Sequence, residues 1–272
     1  MAKINQLMSL PNTNHITVVI VTFNNEKIIN RCVDSIFKHS PDSKIIVVDN
    51  NSADNTLVVL KQYGDKIKLI KSDINLGFSK ANNLAAKDIE TEFIVFLNPD
   101  TYLSQVGSLE KLRDTLSDNP GFGIIGPKLI LSDGEVQKTA RNLPTVKNAF
   151  RTFILGDKKR YDFYLPEGNN LCSVESIVGA CFIIKKSVFN KINGFDERYF
   201  MYFEDLELCR KILKIGLKIG FLPTVKIIHL HGDSGKGQRT SDYLHSSAKK
   251  YHGLVDYYFI QLLIRFNNFL HG

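Results

Sequence analysis

The chain has 272 residues, 43% hydrophobic and 23% charged, the balance of a soluble globular protein with one large α/β domain or two small ones. Its net charge of +7 suits an anionic ligand or an anionic membrane surface. It carries no dense Arg tract and no basic-aromatic interleaving, which argues against nucleic acid as the partner.

Strands and helices alternate from the start. "ITVVIVT" (16–22) reads as a buried strand by its β-branched run. Residues 26–39 place Ile28, Ile29, Cys32, Val33, Ile36 and Phe37 at helical spacing. "KIIVVD" (44–49) is a second strand, and Asp54 is placed to cap a helix carrying Leu57, Val58 and Leu60. "KIKLI" (66–70) is a third strand, 79–89 a helix, and "FIVFL" (93–97) a fourth strand. This order predicts a mostly parallel sheet covered on both faces, with ligands beyond the carboxyl ends of its strands.

Beyond residue 105 the rhythm changes. Residues 107–117 read as a helix, and "FGIIGPKLIL" as short strands around a Gly-Pro turn. Residues 156–175 read as a mobile loop, and 176–186 as one apolar strand. Residues 203–216 form an amphipathic helix ending at Gly216, and "KIGFLP" and "KIIHLHG" follow as strands. Residues 249–272 place Leu254, Val255, Tyr258, Phe259, Leu262, Leu263, Phe266 and Leu270 on one helical face behind Lys249 and Lys250. Such a helix fits a membrane interface, and equally the protein's own body or a second subunit in a homodimer.

None of Cys32, Cys172, Cys181 and Cys209 forms a C-x-x-C pair, so reduced thiols are expected rather than a zinc site. The first fifteen residues have no apolar core of signal-peptide length, and no stretch is apolar enough to span a bilayer. A cytoplasmic protein is expected, possessing at most peripheral contact with the inner face of the membrane.

Five polar clusters stand at strand or helix ends. "VVDNNSADNT" (47–56) offers a carboxylate, amides and a hydroxyl able to read a base or ribose; the same residues also make turns and helix caps. In "DINLGFSKANN" (73–83) Gly77 permits close backbone approach to a ligand, or a plain turn. Asn98-Pro99-Asp100 ends the fourth strand with one carboxylate, enough for a divalent ion when phosphates and water supply the rest, and also a good turn sequence. "YFMYFEDLELCRK" (199–211) walls Glu204 and Asp205 with aromatics. The helix dipole alone favours acids there, and desolvation would raise their basicity toward that of a general base. In "HLHGDSG" (229–235) the two His point to opposite faces of a strand, so one at most reaches a shared site.

Taken together, "VIVTFNN", "VVDNNSADNT", "NLGFSKANN", "FLNPDT", "GPKLILSDGEVQKTARNLP", the stretch "VGACFIIKKSVFNKINGFDERYFMYFEDLELCRK" and "HLHGDS" resemble family 2 glycosyltransferases of GT-A fold, within them the bacterial rhamnosyltransferases. The resemblance covers roughly residues 16–240. It implies a tail over 1–15, a GT-A domain with donor-binding (16–105) and acceptor-binding (106–240) halves, and a C-terminal amphipathic helical extension over 241–272.

By family pattern, Thr22, Asn24 and Asp49 hold the nucleoside, with Asn51 and Ser52 nearby. Asn75, Gly77, Phe78 and Asn82 match the segment lining the donor pocket. Asp100 matches the second acid of the D-x-D motif and so implies Mg²⁺ or Mn²⁺ on the diphosphate. Asn98, also donor-binding, departs from the Asp frequent at that place; it lowers the negative charge around the metal. Gly179 and Ala180 match the acceptor-side strand, with Glu204 on the acceptor and Asp205 as the catalytic base. His229 matches a late His near metal and diphosphate, and the role of His231 is open.

The implied reaction is inverting transfer, with dTDP-L-rhamnose as donor and a polyprenyl-diphosphate-linked glycan as acceptor. A UDP-sugar donor (hexose or galactofuranose) is the same-class alternative. A nucleotide-binding protein without activity is disfavoured by the presence of both Asp100 and Asp205. A nucleotidyltransferase would want a Gly-rich basic loop after the first strand, which "VTFNNEK" is not.

Overall fold

The computed structural model describes residues 16–157, 160–230 and 238–271, the last two and 238–239 by backbone alone. The N-terminal tail, His231 and the Leu270 side chain lie outside the described residues.

The first half is β1 (Ile16–Thr22), α1 (Ile29–His39), β2 (Lys44–Asp49), α2 (Thr56–Lys61), β3 (Lys68–Lys71), α3 (Gly77–Ala86) and β4 (Phe93–Leu97). These match the sequence-based elements within a few residues. β5 (Thr101–Leu103), α4 (Ser108–Asp118), β6 (Phe122–Leu131), β7 (Ala140–Arg141), α5 (Val146–Phe153) and β8 (Phe163–Tyr164) follow. Next come β9 (Cys172–Val174), β10 (Ser176–Ile177), β11 (Cys181–Lys185), α6 (Lys186–Lys191), α7 (Glu204–Lys214) and β12 (Lys218–His229). The chain closes with α8 (Gln238–His252) and α9 (Leu254–His271).

Among the described residues one sheet runs β3-β2-β1-β4-β11-β6-β12-β5, with β9 on β12. β1 pairs parallel with β2 and β4, β2 with β3, and β6 with β12. β11 runs antiparallel to both β4 and β6, so β6 and β12 point the same way as β1–β4. The sheet is therefore mostly parallel. The ends of β1, β2, β4 and β12 and the start of β11 share one edge.

Alternation along the strands fills two cores. Val18, Ile20, Val47, Phe93 and Val95 face α1 and α4 through Val33, Ile36, Leu109 and Leu112. Val19, Val48, Ile94 and Phe96 face the other way, onto Ala81, Ala85, Phe189, Phe195, Leu208 and Ile212. Each such buried Val, Leu, Ile or Phe side chain contributes about 1.5–3 kcal/mol, and both faces of the sheet are apolar because both are covered.

Five expectations are corrected. β6 runs unbroken through Gly126-Pro127, and β12 through Pro223. Their pairing slips register between Leu222 and Lys226, so both prolines sit where the ladder is already interrupted. The single strand expected over 176–186 is two, split at Val178–Ala180. The segment 156–175 is not a plain loop, since it supplies β8 to β7 and β9 to β12. The C-terminal helix is broken at Gly253, whose φ of 77° is left-handed. The four cysteines are free.

Candidate active site

A cavity of about 450 Å³ opens at the shared strand edge. Thr22, Asn75, Gly77, Phe78, Asn98, Asp100, Gly179, Ala180, Glu204, Asp205 and His229 line it, all of them singled out in the sequence. Asn24, Asp49, Asn51, Ser52 and Asn82 do not.

The non-lining residues brace the walls. The Asn24 amide donates to Ser52 Oγ at 2.9 Å, and Asn24 Oδ1 accepts from the Ala53 amide at 2.8 Å, lacing the loops after β1 and β2. Asn24 and Asn51 take left-handed backbone (φ 55° and 67°), which Asn tolerates better than bulkier residues. Asp49 is buried; its Oδ2 accepts from the Ser52 amide at 3.1 Å. Its Oδ1 has no partner among the described residues. Asn82 turns back along α3 and donates to the Phe78 carbonyl at 2.9 Å.

Two amides that sequence reasoning did not single out hold the rim. Asn50 Nδ2 donates to Asn75 Oδ1 and to the Gly77 carbonyl, while Asn50 Oδ1 accepts from the Leu76 amide at 2.7 Å. Asn25 Oδ1 accepts from Thr22 Oγ1 at 2.9 Å and from the Phe23 amide at 3.1 Å. Both stand inside quoted clusters; amide side chains at two strand ends were the signal, and three-dimensional bonding alone separates them from their neighbours. Met201, Tyr202 and Val178 also line the cavity.

Gly77 heads α3 with φ 76°. A Cβ there would overlap the Phe200 carbonyl oxygen and stand 2.7 Å from its ring. The Phe78 amide donates to that same carbonyl at 2.7 Å. The α3 N-terminus is thereby locked to the segment that leads into α7.

In that segment Tyr202 and Phe203 both adopt φ 68°, a strained conformation for large aromatic residues. They deliver Glu204 and Asp205 into the cavity wall. Asp205 Oδ1 accepts from the Leu206 amide at 2.8 Å and Oδ2 from the Gly179 amide at 3.2 Å. Burial raises the Asp205 carboxyl above its ordinary range, opposed by these N–H groups and by the Arg141 charge. Glu204 is buried, its Oε2 has no partner among the described residues, and burial with the Asp205 charge beside it pushes it up to about 8. A carboxylate so held, half desolvated yet hydrogen-bonded, is fit to take a proton from a hydroxyl.

Asn98-Pro99-Asp100 turns the chain from β4 into β5, which pairs with the end of β12 through Thr101 and His229. That pairing sets His229 Nε2 3.4 Å from Asp100 Oδ2, both side chains buried. His229 Nδ1 lies 2.7 Å from Gln137 Oε1. With Nδ1–H donated to that oxygen, a neutral imidazole would direct its Nε2 lone pair to the carboxylate side, where a cation could be held by both.

Among the described residues no three His, Cys, Asp or Glu gather as a ready-made metal cluster. A carboxylate and an imidazole are nevertheless a fitting pair of donors for Mg²⁺ or Mn²⁺ when a diphosphate and water complete the shell.

The glycosyl transferase family 2 profile matches residues 17–192, and one described as the N-terminal domain of galactosyltransferase matches 169–232. The chain is 26% identical over 258 residues to the N-acetylglucosaminyl-diphospho-decaprenol L-rhamnosyltransferase of Mycobacterium tuberculosis, covering 87% of this chain and 82% of that one. It is 26% identical over 260 residues to the dTDP-rhamnosyl transferase RfbF of Shigella flexneri, covering 94% and 81%. Among solved structures, GalNAc-T7 with UDP, GalNAc and Mn²⁺ superposes with a TM-score of 0.66 at 15% identity. That match covers 93% of this chain but only 54% of GalNAc-T7. On the family profile and these likenesses, the chain belongs to glycosyl transferase family 2, as a rhamnosyltransferase-like glycosyltransferase of GT-A fold.

Proposed function

We propose that the chain transfers L-rhamnose from dTDP-L-rhamnose to a polyprenyl-diphosphate-linked glycan, inverting the anomeric carbon. The observation that carries this reading is the lining of one cavity by both Asp205 and the Asp100–His229 pair. The names of the mycobacterial and Shigella relatives support the sugar, the nucleotide and the lipid link.

In this reading residues 16–105 bind donor and 106–240 bind acceptor, His229 reaching back to the donor. Thr22, Asn24 and Asp49 hold the nucleoside, with Asn51 and Ser52 nearby, Thr22 from the cavity wall and the others from the loops behind it. Asn75, Gly77, Phe78 and Asn98 line the donor pocket, and Asn82 supports it from within α3. Gly179, Ala180 and Glu204 meet the acceptor.

Asp100 and His229 would hold Mg²⁺ or Mn²⁺, which neutralises charge on the leaving diphosphate. Asp205 accepts the proton of the attacking hydroxyl. The acceptor oxygen bonds to the anomeric carbon from the face opposite the departing diphosphate oxygen. One displacement completes the transfer, with no covalent sugar–enzyme intermediate.

The test is nucleotide release from a panel of dTDP- and UDP-sugars, with and without EDTA. Release from dTDP-L-rhamnose that chelation abolishes is expected. Release from a UDP-sugar alone would move the donor to the hexose or galactofuranose class. Release that survives EDTA would remove the metal role of Asp100 and His229.

A further inference from the structure

Helix α9 buries one face and leaves another open. Tyr257, Ile260 and Leu263 are buried, and Ile260 and Leu263 pack with Ala149 and Val146 of α5. A second stripe, Val255, Tyr258, Phe259, Leu262, Phe266 and Phe269, faces solvent, with Val255 82% and Phe269 84% exposed. Spacings of three and four residues make it continuous along the helix. Water-soluble surfaces seldom leave such a strip uncovered.

Charge indicates what covers it. Residues 146–160, which include α5, and residues 249–272, which include α9, hold eight Lys and Arg against Asp157 and Asp256 alone. Of these, Lys147, Arg151, Arg160, Lys249, Lys250 and Arg265 belong to the described residues and outnumber the two acids by four, and α5 packs directly on α9. A second copy docked by the same face would set that charge against itself, whereas an anionic lipid surface complements it. No described helix is long and apolar enough to cross a membrane, so the contact would lie in the interface plane.

We propose that the exposed stripe of α9, together with its own Arg265, Lys249 and Lys250 at the end of α8 and the basic residues of the neighbouring α5, seats the protein on an anionic lipid surface. The contact is mechanically joined to the cavity. Tyr251 and Ala248 of α8 pack with Tyr199, Phe203 and Leu206, and Ser247 Oγ donates to the Met201 carbonyl at 2.8 Å. Met201 lines the cavity. A lipid-seated α9 therefore fixes the acceptor side of the cavity relative to the surface.

The experiment is co-sedimentation of the full chain with vesicles of phosphatidylglycerol and phosphatidylcholine in roughly equal parts. The expected result is pelleting that falls at least ~10-fold in phosphatidylcholine alone or in high salt. The triple substitution Val255→Glu, Leu262→Glu, Phe269→Glu is expected to lose pelleting while keeping its circular dichroism and melting temperature. Should that variant misfold, Arg265→Glu alone is expected to weaken pelleting several-fold. Wild-type protein staying in the supernatant with anionic vesicles would overturn the proposal, as would wild-type pelleting by a folded triple variant or by Arg265→Glu. A wild-type dimer in sedimentation velocity that the triple variant dissociates, with pelleting unchanged, would assign the stripe to a second copy instead. No donor or acceptor enters the assay, so its failure is distinct from failure of the transferase reading.

Discussion

The Gly179 amide donates to Asp205 Oδ2 at 3.2 Å, so the break before β11 and the first turn of α7 meet on one carboxylate. A Cβ on Gly179 would stand 3.2 Å from Asp205 Cβ, so the strand opens at a residue small enough to let the acid approach. The same break frees the Ala180 carbonyl to accept from the Asn98 amide at 2.9 Å, tying the acid's neighbourhood to the Asn98-Pro99-Asp100 turn.

Asp205→Asn keeps the size of the side chain and one of its two amide hydrogen bonds but removes the proposed base. We expect kcat to fall by ~10²–10⁴, with nucleotide affinity by isothermal titration unchanged. In the wild type the rate should rise with pH as Asp205 loses its proton, on a limb displaced above the ordinary carboxylate range because burial raises it. Normal turnover by the Asn variant would remove Asp205 from the chemistry.

Glu204 should make stability depend on pH in the unusual direction for an acid. Its ordinary value of 4.5 rises to about 8 in the folded chain, first through burial and then through the Asp205 charge. Between those values the folded state holds a proton that the unfolded state has released. The contribution is full below about 4.5 and is lost as pH rises through about 8. Glu204→Gln should flatten this slope and raise the melting temperature at alkaline pH by at least ~2–4 °C, the shift of about 1 kcal/mol in a domain this size. Identical melting curves across pH for both proteins would contradict it.

Metal should arrive with nucleotide. In the proposed site Asp100 and His229 would supply two protein donors, and Asn98 adds no charge where a second acid would. Mn²⁺ affinity followed by electron paramagnetic resonance should tighten at least ~10-fold when dTDP or UDP is present. Asp100→Asn should abolish that gain. Tight Mn²⁺ binding by the nucleotide-free protein would oppose this ordering.

Gly77→Ala tests the lock between α3 and the segment before α7. The new methyl would overlap the Phe200 carbonyl oxygen at a left-handed φ of 76°. The combined strain should cost ~1–3 kcal/mol, seen as a lower urea midpoint with an unchanged slope. A midpoint equal to wild type would mean that Phe200 moves away freely.

The sheet from β1 to β4 is legible because its strands are apolar on both faces and its helices repeat at 3.6 residues. β6 and β12 were obscured by their prolines, since no pattern within one strand announces that its partner slips register beside it. Helix α5 left a readable trace: Thr145 accepts from the Asn148 amide at 3.2 Å, and Val146, Ala149 and Phe153 stand at helical spacing. The chemistry-bearing residues were legible as types at strand ends. That Asn50 and Asn25 would bond the rim together, while Asn82 turned into its own helix, depends on side-chain direction that spacing does not encode.

β12 carries one further consequence, for the order in which the enzyme comes into being. Its last residue, His229, stands beside Asp100, which leaves the ribosome long before it. The strands β1 to β4 can assemble early on a growing chain. Their polar edge then waits, half-walled, until residues 199–229 emerge to supply the acid, the imidazole and the strand that holds β5 in place. A nascent chain stalled before residue 218 would own nearly all of its nucleotide-side residues and no finished site. Competence in this protein therefore waits on β12, the strand that completes the site.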